Sequence, residues 1–221
     1  MKNYIVFDLE WNQSANGKER SVPHFPFEII EIGAVKLNEN FQMTGEFHRL
    51  VRPQVYTQMH HAISEVTHMN MKELRNSGEL FPNAATEFLA WCGEDAVFCT
   101  WGNMDLLELQ RNMDYYHMEN PFSKPLLYYD VQKLYGLFCR ENARISLDSA
   151  VEEQNLMEER PFHRALDDAT TPENSSLCWD KPLDRMLSCR SGRWTITASI
   201  RQKRRNPHDL PRIFQVCLPH L

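Results

Sequence analysis

The sequence predicts an α/β layered domain built on a mixed sheet, and three observations carry that expectation. Three β-branched and aromatic runs follow one another through residues 4–51. After them, stretches with apolar residues at helical spacing alternate with short apolar strands. The composition is 42% hydrophobic and 24% charged, globular values that exclude collagen, coiled coil and wholesale disorder. Strands first, then helices and strands in turn, give helices layered on a mixed sheet. At 221 residues the chain has room for one large domain, or one domain with an appendage.

Residues 4–9 read as a buried strand. Residues 12–26 are polar and hold Gly17, Pro23 and Pro26, so they read as a loop. Residues 27–37 form the second strand, with Gly33 as a bulge or a point of close approach. Residues 41–51 form the third, ended by Pro53, and the three make an antiparallel meander. Helical spacing covers 63–75 and 84–92. A short strand follows at 95–100, an amphipathic helix at 104–117, a strand at 126–129 and a helix at 131–139. Ser146 is the expected N-cap of a helix running to about residue 156, with Asp148 in its first turn. A further helix is expected to begin near Phe162.

The formal net charge is −6, and it is split unevenly. Residues 1–169 hold 15 Lys+Arg against 26 Asp+Glu, whereas residues 170–221 hold 9 against 4. An acidic body is a poor non-specific binder of phosphate backbone, so bound cations would have to bring a nucleic acid in. No apolar stretch approaches the ~20 residues of a membrane span. Asp8 and Glu10 interrupt the N-terminal apolar run, so no secretory signal is expected. The six cysteines form no CxxC pair and are expected to be reduced thiols of a cytosolic protein.

Three short segments carry the chemistry. Asp8 and Glu10 lie two apart at the end of the first strand, which puts both side chains on one face. Such a pair repels and resists burial, and either a hard divalent cation or simple hydration relieves it. Asp105 follows the turn at Trp101 and Gly102 and falls in the first turn of a helix, where charge–dipole stabilisation is the simple reading. His163 precedes Asp168 by five residues at a helix start. Taken singly, they read as a titrating surface histidine and a solvated acid.

In this order, and on these element types, Phe7-Asp8-Leu9-Glu10, then Gly102 with Asp105, then His163-Arg164-Ala165-Leu166-Asp167-Asp168-Ala169 resemble the DEDDh 3′→5′ exonucleases, the proofreading type. The run from Glu28 to Val35 and the helix start at Ser146–Ala150 are similar to that family as well. The resemblance covers residues 1–169. It implies a ribonuclease H-like fold, with a mixed five-stranded sheet flanked by helices. It makes Asp8, Glu10, Asp105 and Asp168 the ligands of two Mg²⁺ or Mn²⁺ ions and His163 the general base. The implied substrate is the 3′ end of single-stranded RNA or DNA, and no membrane partner is implied. Trp11 stands where the family has a small hydroxyl residue; its indole is either a platform for the terminal base or part of the core. Trp101 and Gly102 ahead of Asp105 are more similar to the RNA-trimming branch of the family.

Beyond residue 169 the resemblance stops. Pro172 would remove a backbone bond from the family's last helix, the helical periodicity fades, and basic clusters appear without a partner face. Read one base over, a permitted codon choice for residues 170–179 encodes an apolar, helix-compatible run. Residues 170–221 are therefore expected to be an atypical basic tail, out of frame or disordered, or else a native appendage. The rival to an active enzyme is a ribonuclease H-like module that binds nucleic acid but turns over poorly because of the altered tail.

Overall fold

The computed structural model describes residues 2–16, 20–119, 121, 127–139 and 144–153. Its sheet has five strands: β1 (Asn3–Gln13), β2 (Phe27–Leu37), β3 (Met43–Leu50), β4 (Ala96–Thr100) and β5 (Leu127–Asp130), in the order β3-β2-β1-β4-β5. The first three run antiparallel, and β4 and β5 run parallel to β1. This is the expected mixed five-stranded, ribonuclease H-like sheet, flanked by helices.

Period two along β1 sorts its side chains into two layers. Ile5, Phe7 and Leu9 join one core with α3 (Phe81–Cys92) and α4 (Met104–Tyr115). Phe7, Phe88 and Phe98 pack there with ring centroids 5.5–6.4 Å apart, and truncating Phe7 to Ala would cost ~3–5 kcal/mol. On the other face Tyr4 and Val6 meet α5 (Val131–Cys139) and α6 (Leu147–Glu153). At the far end of that face, Ile30 and Leu50 pack with Met69 and Leu74, from the segment carrying α1 (His61–Thr67) and α2 (Met71–Ser77).

The structure differs from the sequence expectation in three places. β1 continues to Gln13, because Asn12 is buried and fully used. Its side chain donates to Tyr56 O and Gln58 O and accepts from the His60 N–H. The helix expected over 63–75 is two helices. His68 takes a left-handed conformation at φ 56°, and Asn70 caps α2 by accepting from the Glu73 N–H at 2.9 Å. Gly33 pairs regularly with Asp8 and His48; the bulge in β2 lies at Ile30, unpaired opposite the Glu10–Trp11 step. Ser146 caps α6 as expected, its Oγ accepting from the Ser149 N–H. The end of that helix, the helix near Phe162 and the tail lie outside the described residues. Among the described residues no helix is long and apolar enough to cross a membrane.

Candidate active site

The site begins where two parallel strands part. β1 pairs with β4 only from Asn3 to Val6, so the next stretch of β1 has no strand on that edge. After Thr100 the chain turns away through Gly102, whose φ of 95° suits a residue without Cβ. The Thr100 hydroxyl donates to Gly102 O at 2.6 Å and closes the turn. α4 then starts at Met104 and aims its first turn back at the free edge of β1. Asp105 Oδ1 accepts the Leu9 N–H at 3.3 Å. An acid 96 residues downstream is thereby fixed beside the residue between Asp8 and Glu10. Crevices at the carboxyl ends of parallel strands are where ligands bind in open α/β sheets.

Burial differs among the three acids. Asp8 and Glu10 are half-buried, whereas Asp105 is 6% exposed. Loss of water pushes the Asp105 carboxyl up to about 7. Its own backbone N–H and that of Leu9 pull the other way, and Glu108, one turn on, adds to the rise. Glu108 is itself fully buried and pairs through Oε1 with Arg111. A positive charge at this point would return Asp105 to its ionised form, and hard carboxylate oxygens suit a divalent ion. Among the described residues no group of three or more His, Cys, Asp or Glu side chains closes into a metal site. His163 and Asp168 lie outside the described residues.

Trp11 packs against the core on the face opposite Asp8 and Glu10. It alternates with Glu10, so it points to the opposite side of the sheet. There it packs against the α3–α4 core, its ring 5.7 Å from that of Phe27. Of the two readings of Trp11, this placement favours the core.

Several residues that shape the site were not singled out from the sequence. Glu28, 1% exposed, accepts from the N–H groups of Gln54, Val55 and Tyr56 and from the Tyr116 hydroxyl. With Asn12 it ties the 54–60 segment to the end of β1. Asn112 accepts from the Ile29 N–H and donates to Phe27 O, fastening α4 to β2. Glu31, 2% exposed, contacts His48 at 2.6 Å. The available signal was the placing of Glu28 and Glu31 inside an otherwise apolar strand. A cavity of about 580 Å³ lined by His24, Arg111 and Tyr115 lies toward the other end of α4, and none of the matched acids lines it.

Residues 5–172 match the RNase_T family model, described as exonuclease. The "Probable 3'-5' exonuclease KapD" of Bacillus subtilis (strain 168) is 27% identical over 168 residues, covering 76% of this chain and 79% of that protein. Among solved structures, the nuclease domain of 3'hExo, a DEDDh family member bound to rAMP, aligns with a TM-score of 0.60 at 22% identity, over 73% of this chain and 84% of that one. E. coli Exonuclease I in complex with a dT13 oligonucleotide aligns with a TM-score of 0.59 at 11% identity, over 74% of this chain and 38% of that one. At these identities the two structures speak for the fold. The family match spans both the strand that carries Asp8 and Glu10 and the helix that brings Asp105 to it, and it establishes that the chain belongs to the RNase_T family of exonucleases.

Proposed function

We propose that this chain is a metal-dependent exonuclease that hydrolyses phosphodiester bonds at the 3′ end of single-stranded RNA or DNA. The observation that carries the reading is the Asp105–Leu9 contact, which supports a site where acids from distant segments meet on one strand. Asp8, Glu10, Asp105 and Asp168 would hold two Mg²⁺ or Mn²⁺ ions. Bound there, such ions supply charge neutralisation for the attacking and leaving oxygens of an in-line displacement. His163 serves as general base: its neutral imidazole takes a proton from the attacking water. The likeness to proteins solved with rAMP and with dT13 supports a single-stranded 3′ end as substrate. Residues 1–169 form the exonuclease domain in this reading, and 170–221 an appended basic tail. The free, buried thiols of Cys92 and Cys99 support a reducing, cytosolic setting.

A second reading has its own observation. Pro172 and the loss of helical periodicity after residue 169 favour a ribonuclease H-like module that binds nucleic acid with impaired catalysis, because a displaced Asp168 would spoil the site. A ~1 Å error can cost about 10²-fold in rate. Digestion of 5′-labelled single-stranded RNA and DNA with Mg²⁺, with Mn²⁺ and with EDTA separates the two. Stepwise shortening from the 3′ end that EDTA stops is the expected result. Retention of uncut strand in a gel shift supports the second reading, and internal cuts or EDTA-resistant cleavage contradict the first.

A further inference from the structure

Glu31 is a carboxylate in a position that an apolar residue would fill at lower cost. It stands inside β2, flanked by Ile30 and Ile32, and is 2% exposed. Burying a charge there is unfavourable unless something holds it. The sheet register says what surrounds it. Glu31 lies directly opposite Glu10 on β1 and Leu50 on β3, while the neighbouring row runs Asp8, Gly33, His48. Residues opposite each other share a face, so Asp8, Glu10, Glu31 and His48 are all on the face assigned to the metal. Cross-strand partners have Cβ atoms ~4.5–5.5 Å apart, which makes Glu31 the flank of Glu10. His48 Nε2 meets Glu31 Oε1 at 2.6 Å, a diagonal tie from the end of one row to the middle of the other. The bulge at Ile30 adjoins Glu31, and bulges re-aim the side chains beside them.

We propose that Glu31, clamped by His48, is a positioning residue for Glu10. The inference rests on the reading of Asp8 and Glu10 as metal carboxylates. Held toward β3 by the imidazole, the Glu31 carboxylate occupies the β2 side of Glu10. By bulk and by like charge it turns Glu10 away from β2, toward Asp8 and the Leu9–Asp105 contact. The effect is on the geometry of a donor rather than on the substrate, so its signature is metal affinity. Residues that orient metal ligands from behind change affinity or activity by ~10–100-fold when replaced.

The test is Mn²⁺ titration by calorimetry on the full chain, with oligonucleotide KM at saturating Mn²⁺ and melting in EDTA measured beside it. Glu31→Gln keeps the shape and removes the charge; it should weaken Mn²⁺ binding about tenfold and leave KM within about twofold. His48→Ala should reproduce that loss. His48→Gln should restore most of the affinity, because its amide can still donate to Glu31. If Glu31→Gln fails to fold, the two His48 variants decide alone. Unchanged Mn²⁺ affinity in folded Glu31→Gln or in His48→Ala overturns the proposal, as does a His48→Gln variant no better than His48→Ala. Wild type and Asp8→Asn separate this from the parent reading. Mn²⁺ binding that is lost in Asp8→Asn but kept in the Glu31 and His48 variants sinks only the positioning role. No Mn²⁺ binding by wild type sinks both.

Discussion

Replacing Asp105 with Asn should stabilise the metal-free protein while abolishing its activity. The carboxyl is 6% exposed, and burial raises it from an ordinary 3.8 to about 7. At ~1.4 kcal/mol per tenfold change in proton affinity, the ionised form costs the fold about 4 kcal/mol at pH 8. Asparagine keeps an oxygen to accept the Leu9 N–H and carries no charge. Its amide still has to be buried, so the recovery is about 2–4 kcal/mol, or roughly 5–15 °C in melting temperature for a chain of this size. The pH dependence has a definite sign. The folded protein binds this proton more tightly than the unfolded chain, so its stabilising effect is complete below pH ~4 and is lost as pH rises to about 7. The gap between mutant and wild type should therefore open across that window. Melting by circular dichroism in EDTA between pH 4 and 8 measures it. Adding Mn²⁺ should raise the wild type and not the mutant. An Asp105→Asn protein that melts at or below wild type at pH 8, or a gap that ignores pH, would refute the reasoning.

Asp8→Ala should eliminate Mg²⁺-dependent nuclease activity with the melting temperature in EDTA unchanged or higher, since it relieves repulsion beside Glu10; a labelled-strand assay and a melt check both halves. His163→Ala should lower the rate by ~10²–10⁴-fold without altering Mn²⁺ affinity in calorimetry. The wild-type rate should rise with pH through the imidazole range near ~6.5, and the mutant should lack that limb. Glu28→Gln puts an amide NH₂ against backbone N–H groups of residues 54–56. It should cost about 2–4 kcal/mol in urea unfolding and speed hydrogen exchange in that segment.

The sheet was legible because its signal is local. Apolar runs such as Phe27–Leu37 are buried on both faces, and their length and β-branching mark them without knowledge of partners. The acids were legible as a set through the family resemblance, but not from their own local sequence. Nothing near Asp105 in the chain reveals that its oxygen reaches the N–H of Leu9, a contact that exists only because β1 outruns β4. Trp11 admits two readings in sequence, platform and core, and the strand period that puts Asp8 and Glu10 on one face turns the indole toward the α3–α4 core, where it is partly buried. The break at His68 was hidden for a related reason. The apolar spacing continues through it, but Thr67 and Asn70 supply side-chain bonds that end one helix and start the next. His48 is unremarkable in sequence and Glu31 shows only as an acid in an apolar strand; the meaning of the pair comes from register across three strands.

Crystals grown with Mn²⁺ and a single-stranded oligonucleotide, measured for anomalous scattering, put the site itself to the test. Two peaks ~3.5–4 Å apart, touching Asp8, Glu10, Asp105 and Asp168, with His163 beside the 3′-terminal phosphate, are the predicted result. A density map with no Mn²⁺ at these carboxylates, or with Mn²⁺ there but Asp168 remote from it, would contradict the four-acid site.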